Sequence, residues 1–443
     1  VAGLGRPGQD RTVRIKRLRW WIITLVCFGT IVNYLSRNSL AVLASTLMTQ
    51  MRFSTREYSY VVGAFQLAYT VMQPVCGYVL DFFGTRTGFA LFALLWSLAS
   101  CLHGFATGWL SLAFFRGGLG LTEAAAIPAG VKAISEWFPA QERSVAMGFF
   151  NIGTSLGAML APPLVVFVQL RYNWRVAFLV TGGLGFVFAG AWWLFYRSPS
   201  QHSLLSEPER VHIMSGQGAA LATADGGGRK PAVMEILRTR RYWGIAIPRF
   251  LAEPAWQTFN FWIPVYLTTE RGMNLQDIAM LAWLPFVAAD IGSIVGGFVS
   301  PFFMKVFKMP VVSSRLAGIV LGATCMIGPG CIGFTASAYG AIGLLCVGAF
   351  AHQVISCLTN TLSTDLFSSH EVATANGLDG TAAWTGGLAF SLVVGALAHS
   401  VGFSALFGCL SVFDIIAAIV AIVLLRDLGN IVAPLKSLME HTR

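Results

Sequence analysis

Gly77-Tyr78-Val79-Leu80-Asp81-Phe82-Phe83-Gly84-Thr85-Arg86 is a short, partly polar break between two long apolar runs, about Tyr58–Leu80 and Thr87–Phe105. Its glycines permit a tight turn and a close approach of helices. Asp81 stands where it can pair with a helix end or with Arg86 and so latch one arrangement of the helices. Outward from this break the same alternation continues. Apolar runs recur at about Trp20–Leu43, Leu110–Ala133, Ser144–Val168 and Val176–Tyr196. A polar stretch, Arg197–Arg241, follows, and then six more runs: Tyr242–Leu267, Gln276–Ser300, Ser313–Phe334, Tyr339–Leu362, Val372–His399 and Ser404–Leu425. About 20 apolar residues cross a bilayer core as a helix. The chain therefore reads as an N-terminal segment (1–19), six spans (20–196), a linker (197–241), six spans (242–425) and a tail (426–443).

Composition leads to the same place. Of 443 residues, 55% are apolar and only 11% charged, with a mean hydropathy of +0.67. A soluble domain carries about 25% charged residues, so this chain lacks the charge to hydrate its own surface. A soluble enzyme or nucleic-acid binder is excluded on that ground, and the expected surroundings are lipid. The net charge of +10 is a topology signal. With the N-terminus placed inside, the inner segments hold 22 of the 30 basic residues and the outer loops five, leaving Arg37, Arg116 and Arg249 within spans. Both termini are then expected on the cytoplasmic side. The eight cysteines lie in or beside apolar runs without a C-x-x-C pair, so neither a disulfide framework nor a metal site is expected. The first run is too long for the apolar core of a signal peptide and reads as a retained span.

The halves echo one another. Phe138, Glu142 and Gly148 match Phe367, Glu371 and Gly377 at a common offset of 229, and Gly77-Tyr-Val-Leu-Asp-Phe-Phe echoes Gly297-Phe-Val-Ser-Pro-Phe-Phe at an offset of 220. Parallel repeats of this kind build a pseudo-two-fold bundle pair with a midplane site between the halves.

The Gly77–Arg86 break resembles the G-x-x-x-D-[RK]-x-G-x-[RK] loop signature of the major facilitator superfamily, with Phe82 in place of the usual basic residue. Asn33-Tyr-Leu-Ser-Arg-Asn38, Arg116-Gly-Gly-Leu-Gly-Leu-Thr-Glu123, Pro128-Ala-Gly and Glu136-Trp-Phe-Pro-Ala-Gln-Glu-Arg143 are similar to its anion:cation symporter family. Tyr69–Pro74, Pro248–Trp256, Ala282–Asp290, Ala351-His-Gln353 and Val372–Gly377 look most like the hexuronate-carrying subgroup, and the resemblance runs from about Arg14 to Arg426. It implies an all-α membrane protein of twelve helices in two six-helix bundles, in a bacterial inner membrane. It implies import of a hexuronate such as glucuronate or galacturonate, with H⁺ as the coupling ion and no cofactor, by alternating access and as a monomer. Galactonate, glucarate or tartrate are the alternative substrates.

Intramembrane charge is costly and marks function. Arg37 has no acid in its own span, so it needs a partner from another helix or a ligand; Glu123 is the protein alternative. Arg116 and Glu123 are seven residues apart and share a helix face, roughly 10 Å apart in rise. A guanidinium suits a carboxylate substrate, and the resemblance assigns substrate binding or coupling to Arg116 and the coupling proton to Glu123. Ser36 stands where several relatives carry a second titratable Asp, which makes one proton per substrate the simpler expectation. Asp290 has no basic neighbour in sequence and is a second titratable candidate, whereas Asp379 and Asp414 read as structural. Arg249 and Glu253, at i,i+4, read as a local ion pair that helps hold an inner gate together with Gly77, Asp81, Gly84 and Arg86. Tyr34, Asn38, Tyr69, Trp256, Asn260, His352, Gln353, Asn360 and Trp384 are candidates to line a sugar-acid cavity, the aromatics for the apolar ring face and the amides for hydroxyls. A membrane-embedded enzyme is the rival class, but the seven histidines are scattered without a nucleophile–base or metal-ligand spacing. A channel is disfavoured by the repeated halves and the latch-like loop.

Overall fold

The computed structural model describes residues 15–215, 233–261, 263–273, 281 and 283–429. Among them the regular structure is helical, apart from an isolated bridge between Ile15 and Leu205. The N-terminal half holds α1 (Leu18–Met51), α2 (Thr55–Phe83), α3 (Thr85–Leu102), α4 (Trp109–Glu123), α5 (Ala126–Trp137), α6 (Arg143–Arg171) and α7 (Trp174–Phe195). The linker contributes α8 (Glu207–Ser215) and α9 (Val233–Leu237). The second half holds α10 (Arg240–Phe261), α11 (Ile263–Thr269), α12 (Leu284–Val306), α13 (Val311–Cys325), the short α14 (Ile327–Gly330), α15 (Ala338–Leu366), α16 (Val372–Val401) and α17 (Phe403–Leu425). With α4–α5, α10–α11 and α13–α14 each forming one broken span, this gives twelve spans in two sets of six. By length and composition, nine helical stretches among the described residues clear a strict membrane-crossing criterion.

Local chemistry sets the breaks. Ser54 and Glu57 form a reciprocal capping box that starts α2. Gly84 joins α2 directly to α3 at φ +82, a left-handed conformation that a side chain resists. Pro128 lacks the N–H that would bond the Ala124 carbonyl, and its ring crowds that turn. The fourth span accordingly breaks between Glu123 and Ala126, which leaves Glu123 at the end of a helix in mid-membrane.

Within the halves, α1 packs on α6, α2 on α4 and α3 on α7, while α12 packs on α15 and α10 on α16 and α17. The halves meet along two seams, α2 against α16 and α6 against α12. The repeat-matched glycines sit in these seams. A Cβ on Gly77 would lie 2.2 Å from the Ala373 carbonyl oxygen, and one on Gly377 2.3 Å from that of Gln73. In the other seam, a Cβ on Gly148 would lie 2.7 Å from the Ser293 carbonyl oxygen and one on Gly297 2.8 Å from that of Ser144.

Charge locks the same end. Asp81 accepts from Lys132 Nζ at 2.7 Å and from the backbone N and Oγ1 of Thr374, both at 2.7 Å. It thus caps the N-terminus of α16 across the seam, where the helix dipole favours an anion. Arg86 does not pair with Asp81: it donates to the Trp193 carbonyl and stacks on the Trp193 ring. The cation expected of Arg86 is supplied by Lys132. In the second seam Asp365 accepts from Arg143 and Arg315, each at 3.1 Å, and Arg315 also reaches Ser144 Oγ and the Ala140 carbonyl. Arg315 is 0% exposed. Intramembrane or gate-buried cations therefore extend beyond Arg37, Arg116 and Arg249 to Lys132, Arg143 and Arg315. The conformation is closed at the linker end.

Candidate functional site

Above the seams, α1, α2 and α4 bring together the residues of the first half. Arg37 Nε donates to Glu123 Oε2 at 3.0 Å, and Arg37 Nη2 donates to Asn33 Oδ1 at 3.3 Å. The guanidinium carbon lies 4.5 Å from the ring centre of Tyr34, 4.7 Å from Tyr69 and 5.2 Å from Phe65. An aromatic box of this kind holds a cation's planar faces while leaving its edge free for an anion. Arg116 donates through Nη2 to the Arg37 carbonyl at 2.9 Å and also covers Phe65, at 4.5 Å.

Two expectations change here. Arg37 has a protein partner after all, Glu123, because the α4–α5 break brings that carboxylate over to α1. Arg116, although it shares a helix with Glu123, is turned to the α1 backbone instead of to the acid. The cluster is left unsaturated: Arg116 Nε and Nη1, Glu123 Oε1 and Asn33 Nδ2 are buried without a hydrogen-bond partner. Two guanidiniums and one carboxylate also leave one formal positive charge. Buried groups in this state favour a ligand that brings an anion and hydrogen-bond partners.

The second half faces this cluster with a different chemistry. Trp256 stacks parallel to His352 at 5.8 Å, and Trp384 reaches across to Tyr69 at 4.9 Å. His352 Nδ1 is buried without a hydrogen-bond partner, and Gln353 beside it is buried. Asn360 does not join them: it accepts from Asn376 at 3.4 Å toward the linker end, where it ties α15 to α16. Asn38 spends one amide N–H on the Tyr34 carbonyl of its own helix, which leaves its second N–H and its Oδ1 for other partners. The side chain of Asn260 lies outside the described residues. Asp290 is half-buried on α12 and faces Ser155 on α6 of the opposite half. Arg249 and Glu253 are paired, at 4.0 Å, but Arg249 also lies 3.7 Å from Asp379, which is therefore part of a trio and not a separate structural acid.

Sequence reasoning missed Asn33, Phe65, Asp365 and the role of Asp379. Phe65 lies four residues before Tyr69, on the same helix face, and Asp365 is the repeat mate of Glu136. Those two signals were present in the sequence.

The sequence pattern of the Major Facilitator Superfamily matches residues 26–388. The chain belongs to this superfamily. Among curated relatives, the hexuronate transporter of Escherichia coli (strain K12) is 50% identical over 416 residues, 94% of this chain and 95% of that protein. The galacturonate transporter of Dickeya chrysanthemi is 51% identical over 344 residues, 78% of this chain and 99% of that protein. In fold, the chain is similar to the crystal structure of the human organic anion transporter MFSD10, with a TM-score of 0.67 at 14% identity, covering 91% of this chain and 99% of that one. Superfamily membership makes the chain a multi-pass membrane transporter of small molecules and not an enzyme.

Proposed function

We propose that this transporter imports hexuronates, glucuronate and galacturonate, together with protons. The observation that carries the reading is the Arg37–Arg116–Glu123 cluster, positively charged in sum and with buried donors left unpaired. The names of its two relatives narrow the anion to a uronate. The Arg37–Glu123 pair supplies a coupling rule. A substrate carboxylate and Glu123 compete for the same guanidinium, so the anion enters when a proton neutralises Glu123 and releases Arg37. Proton and substrate then bind together, each favouring the other by the same free energy. Tyr69, Trp384, Trp256 and His352 supply faces and edges for the sugar ring. Closure of the linker-end seams keeps this site open to the outer side; their opening delivers substrate to the cytoplasm, where both termini lie. The proposal takes the monomer as the transporting unit.

The test is uptake of radiolabelled galacturonate into proteoliposomes under an inward pH gradient, with competitors added in turn. Uronates are expected to compete strongly. Dominant competition by galactonate, glucarate or tartrate would move the substrate to another sugar acid, and gradient-independent, non-saturating flux would make the protein a channel.

A further inference from the structure

The second half holds its own charge cluster, which the coupling scheme above does not use. Arg249 and Glu253 project from α10 and Asp379 from α16. Arg249 Nη2 lies 4.0 Å from Glu253 Oε2 and Arg249 Nε 3.7 Å from Asp379 Oδ2. Neither contact is a hydrogen bond; the guanidinium spends one on Ser356 Oγ at 3.2 Å. Asp379 is 2% exposed and neither of its carboxylate oxygens has a hydrogen-bond partner, nor has Arg249 Nε. One guanidinium between two buried carboxylates leaves an excess negative charge, the opposite of the first half's cluster. A buried charge of this kind is sustained only with a partner; Gln257 hydrogen-bonds Glu253, and the titratable groups in electrostatic reach include Tyr242, which faces Asp379, His352, which faces Arg249, and Tyr34 of the first half, which faces Glu253. None of these is a second cation beside the acids.

We propose that Glu253 and Asp379 form, around Arg249, a second proton-binding site that carries one shared proton in each transport cycle, in addition to the proton assigned to Glu123. The placement suits loading and release. Asp379 lies two turns into α16, beyond the N-terminus that Asp81 holds and beside Gly380, against which Gln73 of α2 packs. When the linker-end seam parts, α2 leaves α16, Asp379 meets cytoplasmic water, and the proton departs to it. When the seam recloses, the pair is sealed from the cytoplasm and takes its next proton from the outer side, past Tyr34, which lies within electrostatic reach of Glu253. The bookkeeping is simple: one uronate anion with one proton moves no net charge, whereas one anion with two protons moves one positive charge inward.

This inference rests on the transport reading above, and the same preparation separates the two. Proteoliposomes are loaded with potassium, treated with valinomycin to create an inside-negative potential without a pH gradient, and given radiolabelled galacturonate. Potential-driven accumulation is expected from the unaltered protein. In Asp379→Asn and in Glu253→Gln it is expected to fall to the unenergised level, while accumulation under a pH gradient persists. Accumulation by the unaltered protein that responds to the pH gradient and ignores the potential would overturn the second site, as would a full potential response in both variants. Absence of galacturonate uptake under either gradient would instead overturn the transport reading, and the second site with it. Because the unaltered protein alone decides the first point, a variant that fails to fold does not rescue the proposal.

Discussion

At the scale of single residues, the decisive contact is the one between Arg37 and Glu123. A guanidinium offers a planar fork to a carboxylate, and lysine keeps the charge while losing the fork and the stacking on aromatic rings. Arg37 uses both features, donating to Glu123 and Asn33 while lying over Tyr34 and Tyr69. Arg37→Lys and Arg116→Lys are expected to weaken galacturonate binding about 10- to 100-fold, the worth of a charge-assisted hydrogen bond, with no loss of folded protein. Isothermal titration of purified variants checks this, and parental affinity in both would remove the arginines from the binding site. The free atoms of the cluster predict a second selectivity. A neutral hexose differs from a hexuronate mainly by the carboxylate, so it would leave the cationic cluster unpaired. Glucose and galactose are expected to compete about 10-fold or more less effectively than galacturonate; equal inhibition in the uptake assay would make this a sugar carrier.

At the scale of helices, the two seams are built from backbone contact. Gly77, Gly148, Gly297 and Gly377 press against carbonyl oxygens of the opposite half, so an added methyl obstructs the closed linker end without touching the sugar site. Overpacking of this kind costs about 1–3 kcal/mol. Gly77→Ala is expected to shift the protein toward a state open at the linker end, measured as increased labelling of a cysteine introduced at the cytoplasmic end of α16; unchanged labelling would mean that the seam closes by some other contact. These glycines were legible in the sequence, since the repeat aligned Gly77 with Gly297 and Gly148 with Gly377. The twelve spans, their two sets of six and the importance of Asp81 and Arg37 were legible for a similar reason: hydropathy and isolated intramembrane charge are local signals. Pairing was not. Lys132 and Arg315 sit near span ends, where a basic residue ordinarily reaches water, and only packing reveals that each is buried against an acid from elsewhere in the fold. Glu123 crossing to Arg37 depends on the α4–α5 break, whose direction Pro128 does not declare in advance.

At the scale of the whole molecule, the proposed cycle turns on which steps need a proton to leave. With the linker end closed, Glu123 occupies Arg37 and the empty carrier is internally paired. In the proposed cycle the loaded carrier is paired differently, with the substrate on Arg37 and a proton on Glu123. Returning empty requires Glu123 to lose that proton and recover Arg37. Glu123→Gln imitates the protonated side chain permanently. It frees Arg37, so galacturonate binding is expected to persist and to lose its strengthening at lower pH, the sign that follows when a proton must join Glu123 before the anion can displace it. Exchange of internal for external substrate needs no empty return and is expected to continue. Accumulation under a pH gradient needs the empty return and is expected to fall to the unenergised level. The measurement is paired: counterflow and gradient-driven uptake in the same vesicles. Loss of both would make Glu123 a structural support for Arg37. Retention of gradient-driven accumulation would place the coupling proton on the second half, at the Glu253–Asp379 pair or at Asp290.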